Sequence, residues 1–516
     1  MNELLQRERV PIRLAIEGNT MLRKITKPPL KTRMFRRVWR LYLIMYLALI
    51  LLGLFIYRLV DLQILRGETF RDVADDQHEI EVPLESRRGY IYDRNQQELA
   101  LDLPNFYTLG IYPAQLDRKM LLCQELAAMT GKPVYHYLER LNTTSKFIYL
   151  EWRLQEPHAE RIRQSNISGV KLQKTAGRFY PHHRATAQLL GYTNVDGQGI
   201  AGVESYYDKI LQGRSGWELH QRDAHGSSFW NPLKGYKLPK NGGSVKLSID
   251  VIAQEVLHQE LDAALALSRA EWAGGILINP KTGEILAVSS VPDFDPLRPS
   301  LSESKDHKLK PFTEQIEPGS VLKIITATGA LDQGVVRPQE QIYCEMGHYC
   351  IGSKILRDAH PYGWLSFEDV IVHSSNIGVA KVAQLLGAKE LYRYAARFGF
   401  GMCLDVEFPG EASGCLRPFQ EWREIDQANI AIGQGISATM LQVAMAYAAI
   451  ANDGVIMEPR LVLETTDSAG KTRTFPPRVM RTVMKPETAW ILQQILTQVV
   501  ERGTGKNAAI ENVQIA

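Results

Sequence analysis

Glu317-Pro-Gly-Ser-Val-Leu-Lys-Ile-Ile-Thr-Ala-Thr-Gly-Ala-Leu331 is the stretch on which the reading of this chain turns. Pro and Gly mark a turn, and the apolar run behind them reads as a buried helix that begins at about Ser320. Residues i and i+3 share a helix face, so the Lys323 amine is expected to reach the Ser320 hydroxyl, while free N–H groups at the helix start favour developing negative charge. A lysine inside so apolar a helix is costly when charged. Burial is therefore expected to lower its pKa and leave a neutral amine that can activate a serine. The plain structural alternative is a lysine that snorkels from an amphipathic helix.

A lone Ser-x-x-Lys carries little weight, because the chain contains four, at Ser168, Ser302, Ser320 and Ser468. Context separates them. Ser168 reads as part of a strand-like run, Ser302 lies in a charged loop and Ser468 in a turn, so only Ser320 stands at a helix start. Downstream, Ser374-Ser-Asn376 is the single Ser-x-Asn in the chain, placed where a loop enters a helix. Helix capping is the structural alternative there. Beside Ser320 and Lys323, Ser374 could instead relay a proton and Asn376 hydrogen-bond a substrate amide. Lys281-Thr-Gly283 precedes the serine and reads as a hairpin tip between two apolar strands. Gly503-Thr-Gly-Lys506 is no phosphate loop, since the spaced upstream glycine is absent and Asn507 follows the lysine.

Working outward, residues 1–40 carry eleven Lys or Arg against Glu3, Glu8 and Glu17, although the whole chain of 516 residues has a formal charge of only +3. That balance gives no reason to expect a nucleic-acid partner. Leu41 to Tyr57 holds no charge and is bracketed by Arg40 and Arg58, which suits a membrane anchor at residues 41–60. A buried core helix is the alternative, and a cleaved signal peptide lacks its small-residue cleavage site. The basic residues would keep 1–40 as a cytoplasmic tail, with everything after about residue 65 outside the inner membrane. Residues 61–236 read as a mixed α and β pedestal, then comes a turn-rich linker over 231–243, then a domain over 244–516 with few strands and many helices. Cys344 and Cys350 flank a presumed hairpin tip and could pair in an oxidising compartment, while Cys123, Cys403 and Cys415 are expected to be buried thiols.

With these pieces in order, the chain resembles the class B penicillin-binding proteins, membrane-anchored peptidoglycan D,D-transpeptidases. Arg88-Gly-x-Ile-x-Asp-Arg-Asn95, Arg178-x-Tyr-Pro181 and Gly202-Val-Glu204 are similar to the pedestal motifs of that family. Asn279-Pro-Lys-Thr-Gly-Glu-Ile-Leu-Ala287, Glu317-Pro-Gly-Ser-x-x-Lys323, Ser374-Ser-Asn376 and Gly433-Gln-Gly-Ile-Ser437 are similar to those of its transpeptidase domain. His360-Pro-Tyr-Gly363 resembles the division-specific, septal branch. The resemblance implies a mixed α/β transpeptidase fold on a pedestal of the dimerisation type, with one transmembrane helix. It implies Ser320 as nucleophile, Lys323 as general base, Ser374 as proton relay and Asn376 as ligand of the substrate amide, with no metal and no cofactor. Implied partners are peptidoglycan stem peptides and their lipid-linked precursors, β-lactams, a membrane-embedded glycan polymerase and other septal proteins. Relatives carry a Lys-Thr-Gly strand after sequence like Val513-Gln-Ile-Ala516. Its absence leads us to expect a truncated domain that is inactive or poorly folded, with Ile276, Leu277, Ile278, Ile285, Leu286 and Val288 along an unpaired edge. The alternative function is a non-catalytic membrane-anchored divisome scaffold.

Overall fold

The computed structural model describes residues 31–70, 79–222, 228–230 and 235–516. The basic tail up to residue 30 and the start of the linker, 231–234, lie outside the described residues. Two compact units emerge, residues 1–81 with 219–233, and residues 82–218 with 234–516.

In the first unit, the helix Lys31–Val60 continues through a wider π turn, Asp61–Leu65. From Trp39 to Leu65 it is long and apolar enough to cross a bilayer, and none of that window is buried by protein. Arg58 and Arg66 both pair with Asp61, at 2.7 and 3.2 Å, which groups the first charges after the apolar run at one end of the helix.

The second unit is organised around a seven-stranded sheet. Its order runs Thr472–Thr474, Val462–Thr466, Ser244–Leu247, Ile91–Tyr92, Glu98–Ile111, Ile148–Gln155, with Val170–Phe179 also paired to Glu98–Ile111. Ile91–Tyr92 and Ser244–Leu247 pair in parallel. The sheet thus runs without a break from the region read as pedestal into the region read as the second domain. Asp93 closes the turn before Glu98 by accepting backbone N–H bonds from Asn95 and Gln97 at 2.7 and 2.8 Å.

The three separated pedestal motifs meet in one buried charge cluster. Glu204, with no exposed surface, accepts from Arg88 Nε and Arg178 Nε, both at 2.6 Å. Arg88 reaches on to Asp208 at 2.7 Å, and Arg178 to Asp102 at 3.3 Å and the Gly89 carbonyl at 2.7 Å. Buried ions need partners of this kind, because each costs several kcal/mol (roughly) to strip of water. Arg178 and Glu204 therefore depend on each other.

The hairpin Ala273–Ile278 and Ile285–Val291 forms where the two apolar runs predict it, and Lys281-Thr-Gly283 is its tip, with Gly283 at φ +73°. Among the described residues Ala273–Ile278 has no second strand partner, and Leu277 is 47% exposed. The expectation of a bare apolar edge fails for Ile285 and Val288, which are fully buried. They belong to the core shared with Val245, Leu247 and Leu461, and Gln254 from the helix Val251–Ser268 brackets the Val288 backbone with bonds of 2.8 Å to its N–H and its carbonyl.

A helical lobe holds the largest core. Lys323–Asp332 runs through it, buried from Lys323 to Ala330, and is packed by Asn376–Leu386, Ala388–Arg397, Glu424–Ala431 and Pro486–Glu501. The presumed Cys344–Cys350 hairpin is absent. Gln341–Tyr343 pairs instead with Trp364–Ser366, and His348–Ile351 with Lys354–Arg357, so Cys344 follows a strand of one pair and Cys350 lies inside a strand of the other. All five cysteines are free thiols, with Cys123 and Cys344 buried. Cys403 and Cys415 are exposed, contrary to expectation, because both lie in the irregular 401–415 segment, where Cys415 pairs through its backbone with Ser437, rather than in an apolar run. Ser168 likewise lies in the turn before Val170–Phe179, not in the strand.

Candidate active site

Ser320 sits in a tight 3-10 turn, Gly319–Leu322, that runs directly into Lys323–Asp332. Gly319 has φ +63°, a left-handed conformation that glycine adopts without steric cost. The segment Gly433–Ala438 fixes this turn from outside. Gly319 N–H donates to the Gly433 carbonyl at 2.9 Å, Ile316 and Ala438 exchange two bonds of 2.9 Å, and Gly435 N–H donates to Glu317 at 3.0 Å. A Cβ on Gly433, itself at φ +81°, would overlap the Gly319 carbonyl oxygen. The glycine is required there by contact, not only by its own torsion. From the other side, the Tyr447 hydroxyl donates to the Val321 carbonyl at 3.0 Å, and burial raises that phenol to about 12.

The turn leaves the Ser320 side chain facing solvent and turns Lys323 inward, where it is 3% exposed. Its amine does not bond Ser320. It donates instead to the carbonyl and hydroxyl oxygens of Ser374, at 2.6 and 2.9 Å. The i, i+3 spacing sets the two residues on one side of the turn but does not decide the partner, and the amine's bonds go to the two Ser374 oxygens. Burial lowers the Lys323 amine to about 8, against a smaller opposing pull from the Asp358 carboxylate. At neutral pH roughly a tenth of the amines are then uncharged, against fewer than about one in a thousand for an ordinary lysine.

Ser374 holds φ +57°, strained for a residue with a Cβ, between the end of Phe367–Val372 and the start of Asn376–Leu386. The two adjacent serines have different partners. Ser375 is the N-cap, accepting from Gly378 N–H at 2.9 Å, which frees Ser374 to face Lys323. Asn376 donates its amide to the Arg357 carbonyl at 2.9 Å, which leaves Oδ1 as the acceptor for an incoming N–H. The structure thus brings Lys323 and Ser374 into contact, holds Asn376 two residues on, and keeps Ser320 on the turn that leads into Lys323.

Two features escaped the sequence. Asp358, in the loop after Lys354–Arg357, binds the start of the Asn376 helix, and no spacing marks it. Tyr447 lies among small apolar residues and gives no sign that its hydroxyl supports the nucleophile turn. No group of three or more potential metal ligands occurs among the described residues.

Such a site can place a nucleophilic hydroxyl, a partly neutral amine, a second hydroxyl between them in function and an amide acceptor around one carbonyl carbon. Comparison with known proteins points the same way. Residues 273–516 match the penicillin binding protein transpeptidase domain, and residues 83–247 the penicillin-binding protein dimerisation domain. The chain is similar to stage V sporulation protein D of Bacillus subtilis, 30% identical over 482 residues that cover 91% of this chain and 74% of the relative. It is also similar to peptidoglycan D,D-transpeptidase FtsI of Escherichia coli, 29% identical over 489 residues, covering 93% and 80%. Among solved structures, penicillin binding protein 3 of Mycobacterium tuberculosis superposes with a TM-score of 0.62 at 26% identity, covering 83% of this chain and 80% of the other. Two adjoining family matches and a relative 30% identical over 91% of the chain agree, and the chain belongs to the class B penicillin-binding proteins.

Proposed function

We propose that this chain is a serine D,D-transpeptidase that crosslinks peptidoglycan stem peptides during septum synthesis. The observation that carries the reading is the buried Lys323 amine, lowered to about 8 and hydrogen-bonded to the Ser374 hydroxyl next to the Ser320 turn. Ser320 Oγ attacks the carbonyl of the penultimate D-Ala. Its proton passes by way of Ser374 and Lys323 to the amine of the terminal D-Ala, which leaves. The ester on Ser320 is then attacked by an amine of a neighbouring stem, whose proton returns along the same groups to Ser320. Asn376 Oδ1 receives the substrate amide N–H. A β-lactam presents its strained amide carbonyl to the same hydroxyl, and its amine stays tethered to the acyl group instead of leaving.

The likeness to FtsI and the run His360-Pro-Tyr-Gly363 support the septal assignment, with a membrane-embedded glycan polymerase and other septal proteins as partners and lipid-linked precursors as the source of stems. The Trp39–Leu65 helix is the anchor in the inner membrane, and the arginines before it place the N-terminus in the cytoplasm and the bulk in the periplasm. The test is labelling of membranes that carry the full chain with a fluorescent penicillin, followed by mapping of the modified peptide. The label is expected on Ser320 and is lost in Ser320→Ala and Lys323→Ala. No label on the parent, or label that persists in Ser320→Ala, refutes the assignment.

A further inference from the structure

Asp358 lies outside every motif, yet its carboxylate is saturated by the segment that carries Ser374. Oδ2 accepts from the Ser375 hydroxyl at 2.6 Å, and Oδ1 accepts from the backbone N–H groups of Asn376 and Ile377 at 2.6 and 3.0 Å. These are charge-assisted bonds at the N-terminus of Asn376–Leu386, where unpaired N–H groups and the helix dipole favour an anion. The residue just before this clamp is Ser374, whose left-handed backbone must be held by its surroundings. Both oxygens that hold the Lys323 amine belong to that one residue.

We propose that Asp358 is a positioning residue for the site: its carboxylate clamps the strained Ser374 turn onto the helix behind it and so fixes where the Lys323 amine is held. The inference rests on the transpeptidase reading for its catalytic consequence, but not for its structural one. The carboxylate also acts at a distance, its negative charge pulling the Lys323 amine upward against the larger lowering by burial. The other titratable groups around it are the Cys344 thiol and Tyr362 phenol, both raised by burial, with Lys381 beyond, held by Glu345 at 2.6 Å. His373, next to Ser374, stacks on Tyr362 at 5.7 Å.

Two substitutions separate the clamp from the charge. Asp358→Ala removes both, whereas Asp358→Asn keeps an acceptor for the two N–H groups and can donate to Ser375. Penicillin labelling of Ser320 is expected to fall at least about tenfold in Asp358→Ala and to recover in part in Asp358→Asn, as a positioning role requires. Independently, the Lys323 amine is followed by NMR of selectively labelled lysine in the full chain, assigned by its disappearance in Lys323→Met. Its titration midpoint is expected to fall by about one pH unit in Asp358→Asn, because an opposite charge has been removed. Parental labelling in Asp358→Ala, or an unmoved midpoint in Asp358→Asn, overturns the proposal. A moved midpoint in a parent chain that takes no penicillin would leave the Asp358 assignment standing and refute the transpeptidase reading instead.

Discussion

Replacing Lys323 by methionine exchanges a buried titratable amine for an apolar side chain of similar length, and the structure fixes how the cost of that amine must vary with pH. Burial lowers it from the ordinary lysine value of 10.5 to about 8. Between those values the unfolded chain binds a proton that the folded chain does not, so stability rises with pH across the window from about 8 to about 10.5. The burden on the folded state is about 3 kcal/mol at pH 7 and about 1.5 kcal/mol at pH 9.5, since the unfolded lysine has by then begun to lose its proton as well. Loss of the two bonds to Ser374 adds an offset that does not change over this range. Urea denaturation of the detergent-solubilised parent and of Lys323→Met at both pH values isolates the term, because all other titrations are common to the pair. The parent should gain about 2 kcal/mol on the variant between pH 7 and pH 9.5. If the two denaturation curves move together within about 0.5 kcal/mol, the amine is not held neutral by burial, and the account of Ser320 activation fails with it.

Glu204→Gln, which weakens two 2.6 Å bonds between fully buried ions, should cost about 3 kcal/mol in urea denaturation, and a loss under about 1 kcal/mol would show that the arginines find other partners. Gly433→Ala forces a Cβ into the Gly319 carbonyl, so the rate of penicillin labelling at Ser320 should drop at least about tenfold; an unchanged rate would mean that the turn is not seated where we place it. Ser374→Ala keeps the carbonyl that holds Lys323 but removes the hydroxyl we propose as the relay. Acylation should slow about 100-fold with an unaltered circular dichroism spectrum, and labelling at the parental rate would remove Ser374 from the proton path.

What could be read from the sequence was whatever a local pattern enforces. The apolar run after Lys323 made its helix a core element, and two apolar runs with Pro and Gly between them fixed the 273–291 hairpin and put Lys281-Thr-Gly283 at its tip. Contacts made across the chain were hidden. Lys323 bonds a residue 51 positions away, and nothing in the local spacing shows that its amine would be held by Ser374 instead of Ser320. Asp358 looked like any loop aspartate. A cysteine hairpin does not form because a short helical turn, Glu345–Gly347, with positive φ at Glu345 and Met346, separates strands that pair with Trp364–Ser366 and Lys354–Arg357. Ile285 and Val288 were assigned to an edge on the strength of strand pairing alone, although one face of a strand can be covered by a helix whether or not its edge is satisfied.

The support of the nucleophile turn by Gly433–Ala438 sets an order of events during synthesis. Glu317 is anchored by the N–H of a residue 118 positions later, and Gly319 by the carbonyl of Gly433. A nascent chain that has extended only past Lys323 carries every group of the Ser-x-x-Lys motif but no wall to shape the turn. On the proposed function, reactivity at Ser320 is therefore conferred late, by backbone that contributes no side chain to the chemistry, and a partly made chain is kept from premature acylation by its own incompleteness.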